Sequence, residues 1–265
     1  MDVTSPDGAH VTVIEEGHGR PILIVHPGGA TSSSWALVAR RLARRFRVLR
    51  FDRRPYRVPP EVEESATMAN EVGDVLAIGE AVDDKVLLVG HSSGAVVALE
   101  AALASPWRFA GMVLYEPPVA VAGPLGGEAL RRAQAALEAG DPGLALSIHL
   151  TDIVGVPRRT VRLMALIPPV RRRTAMFAAG QIRDDANLEA LGVGIDRYGR
   201  IDVPAVLIGG ARSPQHLRDR LDALAGVLPQ LTSVAILEHH GHLANAFAPG
   251  KLAAIIEEFA GAVMP

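Results

Sequence analysis

Over its first 116 residues the chain alternates short, almost uninterrupted apolar runs with longer stretches of helical spacing. The runs are Pro21–Val25, Arg47–Phe51, Lys85–Val89 and Phe109–Tyr115, preceded by Val11–Ile14 between the turn signals SPDG and GHGR. Trp35–Arg44, Ala66–Val82 and Ser92–Ala104 carry apolar residues at three- and four-residue spacing, which predicts helices. Strands without polar alternation are buried on both faces. The pattern therefore predicts a mostly parallel sheet, of about eight strands in all, covered by helices on either side.

At Pro117 the alternation stops. From there to about Arg200 the pattern is helical, broken at GPLGG, GDPG, GVP and IPP into roughly four helices with no strand between them. It resumes with a strand at Val203–Gly209, a helix near Pro214–Leu228, a strand at Thr232–Leu237 and a last helix at Lys251–Val263. The expected fold is α/β, with a core of residues 1–116 and 201–265. An all-helical cap, residues 117–200, is inserted before the last two strands.

Composition narrows the function classes. The chain is 49% hydrophobic and 21% charged, with a formal net charge of −2 and no block of one sign. That excludes a nucleic-acid groove or an anionic membrane surface as its main partner. There is no cysteine, hence no disulfide, thiolate metal site or cysteine nucleophile. No apolar run is long enough for a membrane span, and the amino-terminal MDVTSPDGAHVTVIEEG lacks the pattern of a secretory signal. These features lead us to expect a cytoplasmic monomer or homodimer acting on a small molecule.

Three segments carry candidate chemistry. Gly90-His91-Ser92-Ser93-Gly94 is G-x-S-x-G between a buried-type strand and a helix, a tight turn that exposes a serine only if its flanks lack side chains. The alternative is that Ser92 simply caps the helix. His26-Pro27-Gly28-Gly29-Ala30 follows another strand and brings backbone close to a ligand. After the last strand stands Glu238-His239-His240-Gly241-His242, where a base of near-neutral pKa is available. His242 is the expected base, and a metal site is the weaker reading because the spacing matches no zinc signature.

Taken in chain order, glycine loop, nucleophile turn and late histidine resemble the α/β-hydrolase superfamily over nearly the whole sequence. The resemblance implies a serine nucleophile at Ser92 and a general base at His242. It also implies an oxyanion hole built from the backbone N–H groups of Gly28 and Ser93. The segment Phe51-Asp52-Arg53-Arg54-Pro55-Tyr56-Arg57 is similar to one the family carries, with Pro55 and Arg57 where glycines are usual, so a stiffer loop is expected. Where relatives tend to have the triad acid, after the strand at Val203–Gly209, this chain has Ser213, which cannot hold an imidazolium. Glu116, ending the strand Phe109–Tyr115, is the better candidate; Asp196, Asp202 and Glu238 compete with it.

The implied activity is a serine-dependent acyl hydrolase acting on a medium-sized, largely apolar molecule, with no cofactor and no metal. Carbon–carbon bond hydrolysis, lactone opening and a biosynthetic cyclase or lyase step remain open alternatives, as does a non-catalytic binding protein on the same fold. Gly29 and, in the cap, Met164, Leu166, Met176 and Phe177 are candidate pocket residues. Arg158, Arg159, Arg162 and the run Arg171–Arg173 are expected to be solvated.

Overall fold

The computed structural model describes residues 1–57 and 66–264. Among them, eight strands form one sheet: β1 (Asp2–Thr4), β2 (His10–Glu16), β3 (Pro21–Val25), β4 (Arg47–Phe51), β5 (Val86–His91), β6 (Phe109–Tyr115), β7 (Ala205–Gly210) and β8 (Leu231–Leu237). Their spatial order is β1-β2-β4-β3-β5-β6-β7-β8. β2 runs antiparallel to β1 and β4, and all remaining neighbours are parallel. β3, β5 and β7 are buried at every position, as strands between two helical layers must be.

One layer holds α1 (Ala36–Leu42) and α10 (Pro249–Val263), whose Val38, Leu42, Leu252, Ile256 and Phe259 pack with Ile22, Ile24 and Leu87. The other holds α2 (Met68–Glu80), α3 (Ser93–Ala104) and α8 (Gln215–Ala225), which bury Val75, Ile78, Leu99 and Leu221 against Leu23, Leu88 and Leu114. A short α9 (Ala244–Phe247) precedes α10.

Between β6 and β7 lie four helices: α4 (Gly127–Glu138), α5 (Pro142–Ile148), α6 (Arg158–Ala165) and α7 (Pro168–Ala190). They have a small core of their own, with Leu130, Ala133, Ala145, Ile148 and Ile182. α7 also reaches the sheet. A Cβ on Gly180 would stand 2.0 Å from the carbonyl oxygen of Pro55, so only glycine lets this helix lie on the loop after β4. Of the arginine run expected to be solvated, Arg172 is exposed, while the side chains of Arg171 and Arg173 lie outside the described residues.

The chain order reverses at β3 and β5, which are neighbours although β4 lies between them in sequence. Loops leaving the carboxyl ends of these two strands diverge and leave a crevice. Two of the three candidate segments start there: the glycine loop after β3 and the serine turn after β5.

Candidate active site

Ser92 joins β5 to α3 with φ 53° and ψ −127°, a conformation costly for any L-residue. Its flanking glycines are steric necessities. A Cβ at Gly90 would come within 2.5 Å of Ala95 Cα, and one at Gly94 within 2.3 Å of the His26 carbonyl oxygen. The Ser92 side chain makes no capping hydrogen bond to the helix it precedes, contrary to the N-cap alternative. Its backbone N–H donates to Tyr115 O at 2.8 Å, tying the turn to the end of β6.

The next residue along β6 is Glu116, itself at φ 47°. Glu116 is only 1% exposed. Its backbone N–H donates to Ile208 O at 3.0 Å, and its Oε1 accepts the backbone N–H of Gly210 at 2.7 Å. Oε2 lies 2.6 Å from His242 Nδ1. The carboxylate thus bridges the ends of β6 and β7 and faces the imidazole with its remaining oxygen. Bonding through Nδ1 leaves Nε2 of His242 for a substrate or nucleophile proton.

Around the imidazole the packing is aromatic. The His242 ring centroid is 4.7 Å from that of His91, the residue before Ser92, and His91 in turn stacks on Tyr115 at 4.4 Å. Burial, reinforced by the neighbouring His242, pushes the His91 pKa well below its ordinary value, so His91 is neutral. The Tyr115 hydroxyl donates to Gly241 O, fixing the backbone beside His242. Among the described contacts Ser92 Oγ is not hydrogen-bonded to His242. Such bonds are often long without substrate and tighten once the site is filled.

Of the competing acids, Asp202 accepts from Gln230 at 2.8 Å, and the carboxylate on His242 is that of Glu116. Ser213 is buried and its hydroxyl has no hydrogen-bond partner among the described residues. Nor do those residues contain a group of three or more His, Asp or Glu side chains set to hold a metal.

The glycine loop rests on a buried ionic network that the sequence did not announce. His26 Nε2 accepts the backbone N–H of Arg53 at 2.9 Å, and Nδ1 faces its own loop's Pro27 O at 2.8 Å. Burial, aided by the Arg53 charge, lowers its pKa and keeps the ring neutral, with Nδ1 carrying the proton. The Arg53 guanidinium, fully buried, meets Glu71 Oε2 at 2.7 Å and Asp184 Oδ1 at 2.7 Å. It also donates to Ser93 Oγ at 2.8 Å, and Ser93 Oγ donates to Asp184 Oδ2 at 2.6 Å. The Tyr56 hydroxyl donates to the same Asp184 oxygen at 2.8 Å. Burial would raise the Asp184 pKa, but Arg53 and these donors outweigh it and keep the carboxylate ionised. Glu71, the second acid on one guanidinium, is pushed up by burial to about 7. Asp184 belongs to α7, so the network pins the cap helix to the residue that follows Ser92.

The candidate pocket residues are scattered. Gly29 has φ +62° and faces the Gln181 side chain of α7. Phe177 is buried edge-to-face against Tyr56, with ring centroids 6.0 Å apart. Met164 is half-buried. Leu166 and Met176 are 76% and 57% exposed, and no described contact joins them to Ser92, Glu116 or His242.

Comparison with known proteins agrees with this fold. Residues 22–255 match the model of the alpha/beta hydrolase family. No curated protein matches the chain in sequence. Among solved structures, an alpha/beta hydrolase from Sphaerobacter thermophilus is 29% identical, with a TM-score of 0.81 over 98% of this chain and 99% of that one. A thermophilic esterase from Thermogutta terrifontis is 23% identical, with a TM-score of 0.77 over 100% and 99% of the two chains. An epoxide hydrolase from Vigna radiata is 22% identical, with a TM-score of 0.75 over 98% and 97%. At these identities the last two share the fold, and they differ in chemistry.

Proposed function

The chain belongs to the alpha/beta hydrolase family, and from that premise we propose that it is a serine-dependent acyl hydrolase with Ser92, His242 and Glu116 as its triad. The observation that carries the proposal is the pairing of two costly features. A serine is held in a conformation only function rewards. Beside its strand end, a buried carboxylate lies 2.6 Å from an imidazole. Neither is needed for the sheet to form.

In this reading His242 Nε2 takes the Ser92 proton as Oγ attacks the carbonyl carbon of an ester or related acyl compound. Glu116 holds the proton on Nδ1 and steadies the imidazolium. The developing oxyanion is met by the N–H groups of Gly28 and Ser93, the latter at the amino end of α3, where the helix dipole favours negative charge. The tetrahedral intermediate collapses as His242 protonates the leaving oxygen. Water, deprotonated by the same imidazole, then attacks the acyl-enzyme and releases the acid with Ser92 restored. Residues 117–200 act as the cap over this site, and the buried Phe177 of α7, edge-on to Tyr56, adds apolar surface that suits a largely apolar substrate. No described helix is long and apolar enough to cross a membrane.

A fluorophosphonate probe tests the reading. Labelling at Ser92, lost in Ser92→Ala, together with turnover of p-nitrophenyl esters, is the expected result. A folded protein whose Ser92 stays unlabelled would remove the catalytic account.

A further inference from the structure

The cap sends one polar group to the glycine loop that the triad and its supporting network do not use. Gln181, on α7, is 7% exposed. Its Oε1 lies 2.5 Å from the point a Cβ on Gly28 would occupy and 3.3 Å from the corresponding point on Gly29. The amide is oriented by its other end. Gln181 Nε2 donates to Asp185 Oδ1 at 3.0 Å, and a carboxylate accepts only, so the carbonyl oxygen faces the loop. Asp185 is itself immobilised, because its Oδ2 meets His149 Nδ1 at 2.6 Å. The chain His149–Asp185–Gln181 is buried at each member.

What Oε1 lacks is a proton. Its one described neighbour with a proton to give is the Tyr56 hydroxyl, 3.4 Å away. That hydroxyl has a single proton, already directed to Asp184 at 2.8 Å. A buried carbonyl oxygen left so poorly satisfied costs free energy that a ligand donor would recover.

We propose that Gln181 is a specificity-determining residue whose Oε1 accepts a hydroxyl of the substrate, so that the preferred acyl groups carry a hydroxyl on the carbon next to the reacting carbonyl or one further on. Gly28 is the residue to which the oxyanion N–H is assigned, so a group in contact with its Cα lies beside the carbonyl being attacked. One buried acceptor discriminates well, because an analogue lacking the donor leaves the oxygen buried and unpaired. The inference rests on the serine acyl hydrolase reading above.

The test compares kcat/KM for p-nitrophenyl butyrate with that for the 2-hydroxy- and 3-hydroxybutyrate esters, in the wild-type enzyme and in Gln181→Met. Wild type should favour one hydroxy ester by about tenfold, the worth of one net hydrogen bond, and the ratio should fall to near one in Gln181→Met. Within each enzyme the ratio cancels any loss common to both substrates. A wild-type ratio near one overturns the proposal, as does a preference that survives the substitution. If the methionine variant does not fold, the wild-type ratio decides alone. An enzyme labelled at Ser92 that hydrolyses butyrate without preferring a hydroxyl refutes this inference and leaves the acyl hydrolase standing. Failure to label Ser92 refutes both.

Discussion

Replacing Glu116 by glutamine changes one atom of the carboxylate and poses a problem the site cannot solve. Two donors converge on Glu116: the Gly210 N–H at 2.7 Å and His242 Nδ1 at 2.6 Å. A carboxylate accepts both, whereas a glutamine amide offers one acceptor and one donor group. If the amide oxygen stays on Gly210, the NH2 meets Nδ1 and forces the imidazole into the tautomer with its proton on Nε2. Facing Ser92, His242 is then a donor and no longer a base. If the amide flips, two N–H groups collide at a position 1% exposed. Loss of the correct tautomer and of imidazolium stabilisation costs about 10³–10⁴ in kcat, or roughly 4–5.5 kcal/mol of transition-state stabilisation. The assay is steady-state turnover of a p-nitrophenyl ester alongside the rate of fluorophosphonate labelling. Both should fall together while the circular dichroism melt shows a folded protein. A folded Glu116→Gln enzyme within about threefold of wild type in kcat would show that Glu116 does not serve His242.

Three further outcomes follow from the geometry. Ser92→Gly should abolish turnover and raise the melting temperature by about 2–4 °C, because relief of the φ 53° strain is worth about 1 kcal/mol or more; Ser92→Ala should be as inactive without that gain, and equal melting temperatures in calorimetry would contradict the strain argument. Asp184→Asn removes a buried carboxylate bonded to Arg53, Ser93 and Tyr56; urea unfolding should show a loss of roughly 3–5 kcal/mol, and a loss below about 1 would mean the network contributes little. Glu71, pushed up to about 7 in the folded chain, binds a proton that the unfolded chain releases near the ordinary glutamate value of 4.5; wild-type stability should therefore decline from pH 5 to pH 8 relative to Glu71→Gln, and a constant gap in melting temperature across that window would refute the shift.

Most of the sheet was legible because its central strands are short and mostly apolar. The runs Pro21–Val25, Arg47–Phe51 and Phe109–Tyr115 coincide with β3, β4 and β6. β1 escaped because three residues show no periodicity. The serine turn could be read from its two glycines, since the clash each avoids is a local matter of backbone geometry. Glu116 could be named only from its place at a strand end, because its partners are 94 and 126 residues away along the chain. The Arg53 network was invisible for the same reason, since Arg53 and Asp184 are 131 positions apart. One signal was present in the cap. Gln181, Asp184 and Asp185 stand at i, i+3 and i+4, on the helix face that also buries Phe177, Ala178 and Leu188. Polar residues on a buried face need partners, and here the partners lie under the glycine loop.

The tether between Asp184 and Arg53 bears on how molecules enter and leave. Swinging α7 outward would tear the Asp184 carboxylate from the buried Arg53 guanidinium and from the Ser93 and Tyr56 hydroxyls, a penalty far above thermal energy. Traffic is thus left to pieces of the cap without such an anchor, of which α6, with Val161 as its one buried side chain, is the most loosely attached. The long helix is the fixed roof beam of the cap, and what give the cap has lies in the wall beside it.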